Sequence, residues 1–372
     1  MASTRSTAGV LMLAAVATLS ALAVAVVLTK TSRREIIAPE GWAALSKREP
    51  DRAAAIFAAA LDQHPRDALL HFGAGAAAQV QGRSKAALTS LRTAVEIDPD
   101  LDQAQELLGR VAYGLGDTTL AIRSMEQAAA RRPRDRALAE LLDRWKSESK
   151  AHGAYIEKPA EHFRILYEGS TQQQIGARVS QVLESEYLRI TTILNATPAS
   201  PITVVLDTEQ AFHDITRSPD WAAGHYDGRI RVAVGGTYAP GDLDRIVTHE
   251  LVHAAVASAA TRHVPAWLNE GLATYLESSH RAWIPEVLRK ASQVHTLDAL
   301  DRSFAGLDEQ SALVAYAQSA TAVDILHGRL GSNIGAFLKL VGTGASLDRA
   351  LLEFQFQPDA FHAEWRRRVG LQ

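Results

Sequence analysis

"THELVHA", residues 248–254, sets two histidines four apart with a glutamate directly after the first. On a helix, positions i and i+4 share a face, so His249 and His253 present their imidazoles in one direction. In DLDRIVTHELVHAAVAS (242–258), Val247, Leu251, Ala254 and Ala255 form an apolar stripe. The histidines fall on roughly the opposite side, with Glu250 beside them. Such a pair is either a metal site or two core or capping histidines.

The next segment weighs against the second reading. Seventeen residues after His253 lies Glu270, inside PAWLNEGLATYLE (265–277). Pro265 suits a helix start. Trp267, Leu268, Gly271, Leu272, Tyr275 and Leu276 supply an apolar face that turns Glu270 towards the first helix. Two imidazoles and one carboxylate make an open catalytic zinc arrangement with the fourth position left to water. With no cysteine in 372 residues, disulfides and thiolate chemistry are excluded, and any metal ligand must be His, Asp or Glu. A net charge of -3 and a pI near 6.5 give no basic footprint, so no nucleic-acid partner is expected.

Upstream, the chain is organised differently. AGVLMLAAVATLSALAVAVVLT (8–29) carries no charge and is long enough, as a helix, to cross a bilayer core. It predicts an uncleaved single-pass N-terminal anchor, a membrane location and an extracytoplasmic catalytic domain. A cleaved signal peptide is the competing reading, since Ala23-Val24-Ala25 resembles a cleavage site.

A repeat follows. Pro65, Pro99 and Pro133 are 34 residues apart. Ala53, Ala87 and Ala121 keep that interval, as do Ala60, Ala94 and Ala128, and Gly41, Gly75 and Gly109. Phe57, Leu91 and Met125 fill a large apolar slot between them. This pattern resembles the tetratricopeptide repeat, an all-α solenoid of helix pairs whose groove holds a protein partner. LAELLDRWK (138–146) reads as a closing helix.

Polar SESKAHGAYIEKPAEH (147–162) reads as a linker. HFRILYE (162–168), PITVVL (201–206) and RIRVAV (229–234) then predict strands, with a helix over STQQQIGARVSQVLESEYLRITTILN (170–195). GHYDGRIRVAVGG (224–236) looks like an edge hairpin turned at Asp227-Gly228, able to pair with an extended peptide or to carry no ligand at all.

HELVH followed by WLNEGLATYLE resembles the gluzincin metallopeptidases, in particular the peptidase MA-like domains. HFRILYE, WAAGHYDGRIRV and AYAQSATAVDIL are also similar to weaker blocks of that group. The resemblance implies a zincin-like α+β domain with Zn²⁺ held by His249, His253 and Glu270, and Glu250 as general base. In sister families a tyrosine or histidine stabilises the oxyanion; Tyr316 is the candidate here, against a core-packing role for the same ring. The aminopeptidase N family matches only at the metal helices, and no G-x-M-E-N stretch precedes His249.

The expected architecture is therefore multidomain: a transmembrane helix (8–29), a tetratricopeptide solenoid (34–147), a linker (148–160) and a zincin-like metallopeptidase domain (161–372). The expected function is a membrane-anchored zinc endopeptidase acting on a protein or peptide, with the repeats docking substrate or partner. A non-catalytic scaffold with a relic domain, and an aminopeptidase, are the alternatives.

Overall fold

Apolar residues at three- and four-residue spacing dictate helices in the first half of the chain, and the computed structural model has them. Residues 37–47, 49–169, 172–198, 200–235, 241–260, 264–277 and 281–371 are described. They pack as two compact units, one up to Tyr155 and one from Ile156 onward apart from Pro201–Thr203.

In the first unit, helices pair as hairpins. These are α1 (Pro39–Ser46) with α2 (Pro50–Gln63), α3 (Ala68–Val80) with α4 (Ser84–Ile97), and α5 (Asp102–Gly114) with α6 (Thr118–Arg131). The 34-residue interval has a packing cause. Phe57, Leu91 and Met125 are fully buried and face Gly41, Gly75 and Gly109 on the preceding helix. A Cβ on Gly75 would stand 2.7 Å from Leu91, and one on Gly41 2.8 Å from Phe57, so only glycine admits the large residue opposite. Pro65, Pro99 and Pro133 fall in the turns after α2, α4 and α6, where a missing N–H costs no helical hydrogen bond. The last hairpin is covered by α7 (Arg136–Ala151), which buries Leu138, Leu141, Leu142 and Trp145 in the same core. Trp145 stacks on Tyr113 with ring centroids 4.3 Å apart.

Two expectations change. The stretch expected as a linker, 148–160, holds the division between the two units, at Tyr155/Ile156, but it is structured: α7 runs on to Ala151, a 3₁₀ turn follows, and β1 occupies Tyr155–Pro159. Long-range contacts order it, because Glu148 is buried and accepts a hydrogen bond from the Tyr113 hydroxyl. Second, no helix among the described residues is long and apolar enough to cross a membrane. That overturns the single-pass anchor and the membrane location drawn from it; the stretch Ala8–Thr29 itself lies outside the described residues. The 22-residue helices α8 (Gln173–Leu194) and α13 (Glu309–Leu330) have the length but not the character, since each carries several Arg, Asp or Glu side chains.

The second unit is a sheet followed by helices. After β1 come β2 (Phe163–Glu168), α8, β3 (Ile202–Thr208), α9 (Glu209–Thr216), β4 (Gly224–Tyr226) and β5 (Ile230–Val234). Among the described residues the strand order is β1-β2-β3-β5-β4, with β3 and β5 parallel and β4 antiparallel at the edge. β5 is buried along its whole length, Arg231 included. The rest is helical: α10 (Asp242–Ala259), α11 (Ala266–Leu276), α12 (Trp283–Lys290), α13, α14 (Ile334–Gly342), α15 (Leu347–Glu353) and α16 (Pro358–Val369). α10 lies against α8, β4, β5 and α11, and α11 presses on α13. A Cβ on Gly271 would stand 2.5 Å from the Ser319 carbonyl oxygen, so glycine sets that close approach.

Each hairpin buries its apolar face only on its neighbours, so damage in the middle spreads. Ala87 is fully buried in the central hairpin. Ala87→Glu places an uncompensated charge there, at a cost of several kcal/mol, comparable to a small domain's stability. Hydrogen exchange on the full chain is expected to lose protection across α1–α7 while α10 and α11 keep theirs. Retained protection in α3 and α4 would contradict this account of the core.

Candidate metal centre

The apolar stripe of α10 is buried as its spacing requires: Val247, Leu251, Ala254 and Ala255 are at most 1% exposed. That anchors the helix and leaves His249 and His253 facing α11. Both Nε2 atoms lie 3.3 Å from the same oxygen, Oε2 of Glu270. Ligands at zinc–donor distances of about 2.0–2.1 Å in tetrahedral geometry sit roughly 3.3–3.4 Å apart, so this spacing fits a zinc ion.

The rings are also aimed. His249 Nδ1 lies 2.6 Å from Oε2 of Glu277, and His253 Nδ1 lies 3.0 Å from Oδ1 of Asn269. A proton held at each Nδ1 leaves Nε2 with its lone pair towards Glu270, the arrangement that orients metal-binding imidazoles. Arg245 in turn contacts Glu277 at 3.3 Å. Asn269 and Glu277 were not singled out from the sequence. A signal existed for Glu277, because it lies seven residues after Glu270 and so on the same helical face.

Charge points the same way. Burial alone would lower the His249 pKa, but hydrogen bonds to Glu270 and Glu277 outweigh it and push it up to about 10. Burial would raise Glu270, yet His253 and His249 hold it well below the usual carboxylate range. Glu250 is 5% exposed and its pKa is raised, first by burial and against the pull of both imidazoles. Its Oε2 has no hydrogen-bond partner among the described residues. Its other oxygen lies against the edge strand, where a Cβ on Gly224 would stand 2.5 Å away. Three carboxylates and two imidazoles share this desolvated space, with Arg245 beside Glu277; a divalent cation held by His249, His253 and Glu270 would take the place of the imidazole protons there.

Tyr316 on α13 joins this group: its ring centroid is 6.0 Å from that of His249. Trp221 and Phe304 flank it at 6.4 and 5.3 Å. Burial keeps the phenol well above its ordinary pKa, helped by Glu270 and Glu250. His225 on β4 was also passed over; burial lowers its pKa, and it senses the charges of Asp227, Arg231, His253 and Glu270.

Two other features do not compete. Glu161, His162 and Glu184 also bring ligand atoms within 4.8 Å of one another. There, however, Glu184 already accepts from the His162 backbone N–H at 2.8 Å and lies 2.7 Å from its Nδ1. A cavity of about 800 Å³ at the carboxyl ends of β2, β3 and β5 is lined by Glu168, Thr208, His213 and Asp220, and by none of the clustered residues.

Residues 184–370 match the model of the Peptidase MA superfamily, half of the chain. The chain belongs to that superfamily. Residues 39–102 match the tetratricopeptide repeat model, so a repeat module precedes the superfamily domain. No curated protein matches the chain. Among solved structures it is similar to the crystal structure of the Sgt2 TPR domain from Aspergillus fumigatus. That match is 22% identical and covers 34% of this chain and 84% of that one; at a TM-score of 0.30 it carries no argument.

If Glu277 orients His249, Glu277→Gln is expected to weaken zinc binding about 10- to 100-fold. Competition with a chelating dye reads this, and unchanged affinity would remove Glu277 from the site. A second expectation follows from His249. Its folded pKa of about 10 exceeds an unfolded value of about 6.5, so its contribution is complete below 6.5 and is lost as pH rises through 10. The metal-free chain should therefore melt at lower temperature at pH 9.5 than at pH 7, and His249→Gln should shrink that difference. An equal difference in both chains would refute the assignment.

Proposed function

We propose that residues 161–372 form a zinc-dependent endopeptidase and that the repeats over 34–147 dock its protein substrate or a partner. The observation that carries this reading is the convergence of both Nε2 atoms on one Glu270 oxygen, 3.3 Å from each, beside a buried glutamate with an unpartnered oxygen. When bound by His249, His253 and Glu270, zinc supplies a Lewis acid that polarises the scissile carbonyl and lowers the pKa of water.

The remaining steps belong to the chain. Glu250 accepts a proton from the attacking water and passes it to the leaving nitrogen, so the carboxylate ends as it began. Its raised pKa favours holding that proton between the two steps. Gly224 leaves the β4 backbone close to Glu250, and an extended peptide added to this sheet edge brings a carbonyl over the base. Tyr316, kept protonated by burial, donates its O–H to the carbonyl oxygen as negative charge builds there. In the repeat module, a cavity of about 410 Å³ between α4, α5 and α6 offers Arg92, Val95, Leu108 and Arg123 to a docked segment.

Base and ligands separate by mutation. Glu250→Gln keeps the shape and removes the base, so zinc stays bound while kcat on an unfolded protein falls at least about 10²-fold. Glu270→Ala removes a ligand, so zinc and turnover disappear together. Elemental analysis alongside proteolysis assays checks both. Stoichiometric zinc with full turnover in Glu270→Ala would move the third ligand elsewhere, and a fully active Glu250→Gln would end the peptidase reading.

A further inference from the structure

Arg245, His249 and His253 stand at i, i+4 and i+8 on α10, so one face of the helix carries a cation and both imidazoles. The Arg245 guanidinium reaches Oε1 of Glu277 at 3.3 Å, while Oε2 of the same carboxylate lies 2.6 Å from His249 Nδ1. The Arg245 side chain is 46% exposed and that of Glu277 only 5%. One carboxylate thus joins a cation near solvent to a buried ring. Among the described residues Glu277 has no other ion-pair partner. The charge of Arg245 also reaches Tyr316, where it opposes the rise in pKa caused by burial and by Glu270, Glu250 and Glu277.

Helix stability does not account for this pair. Arg245 is the fourth residue of α10, in the turn where a helix dipole favours anions. Glu277 follows the last residue of α11, at the end that favours cations. Each charge opposes its own helix, and each is answered by the other across the gap. Arg245 has one further ion pair, with Asp242 at 3.9 Å; those side chains are 46% and 44% exposed, and such a pair contributes little. The buried carboxylate is a different case. Stripped of its cation, it would either take a proton or turn away, and both changes cost His249 its charged acceptor.

We propose that Arg245 is a positioning residue of the metal centre: it holds the Glu277 carboxylate so that the Nδ1 proton of His249 stays in place and Nε2 is left free for the metal. This role rests on zinc being held by His249, His253 and Glu270. Arg245 acts through Glu277 and not on the ion itself. A guanidinium suits the task, because its planar fork fixes the orientation of a carboxylate where an ammonium supplies only charge.

Zinc affinity tests this without turnover. The full-length wild type, Arg245→Ala, Glu277→Gln and the double variant are each titrated with zinc against a chelating dye. Arg245→Ala is expected to weaken zinc binding at least about threefold, short of the roughly 10- to 100-fold loss on removing an outer-shell partner itself. Arg245→Lys, which keeps the charge, should show a smaller loss. In the Glu277→Gln background Arg245→Ala should change affinity by less than about twofold, because the carboxylate it acts on is gone. Far-UV circular dichroism establishes folding; if Arg245→Ala does not fold, the loss in Arg245→Lys, present with Glu277 and absent without it, decides. Wild-type affinity in Arg245→Ala, or an equal loss with and without Glu277, overturns the role and leaves the zinc site standing. A wild-type chain that binds no zinc would instead sink the metal-centre reading, and this role with it.

Discussion

Buried negative charge between α10 and α11 is the constraint around which the second unit is arranged. Glu250, Glu270 and Glu277 share a desolvated space with two imidazoles, and uncompensated charge there costs several kcal/mol. Protons on the imidazoles answer part of it, which is why the His249 pKa climbs to about 10. A dication held there would answer it without the Nε2 protons, facing the carboxylates directly. The close packing serves the same end. Gly271 lets α11 press on α13, which brings Tyr316 to the cluster, and Gly224 lets the sheet edge reach Glu250.

Periodicity made much of this legible. The 34-residue interval reads directly as packing, since Gly41 and Gly75 admit Phe57 and Leu91 from the next helix and Gly109 admits the Ala121 backbone beside Met125. The grouping of His249, His253 and Glu270 is legible because helical spacing fixes which side chains share a face, and burial of the stripe fixes which face turns inward. Asn269 and Glu277 lay within a motif already conspicuous, but their role depends on which ring nitrogen they meet, and spacing does not carry that.

What escaped was long-range or compositional. Residues 147–151 are polar and look like a linker, yet they extend α7 because Glu148 meets Tyr113, thirty-five positions away. A local window contains only one half of such a pair. The apolar run at 8–29 suggested a spanning helix by length and hydropathy; it lies outside the described residues, and no described helix combines the two properties.

The edge strand shows how far the site depends on parts that do no chemistry. β4 is only three residues long and cannot hold its own register by hydrogen bonds alone. Arg231, fully buried on the neighbouring β5, supplies the rest: its guanidinium reaches Asp207 on β3 at 3.2 Å and Asp227 in the turn at 3.1 Å. Asp227 also accepts from the Arg229 backbone N–H at 3.2 Å, which closes the turn. A buried ion pair adds little net stability over an apolar substitute, but breaking one by removing a partner leaves a stranded charge. Arg231 therefore fixes one position of the Asp227 turn and disfavours the others. That position sets Gly224 opposite Val232, and with it the place where backbone meets Glu250. Glu250 is aimed from α10, while the strand it faces is held by an arginine on the other strand of the hairpin.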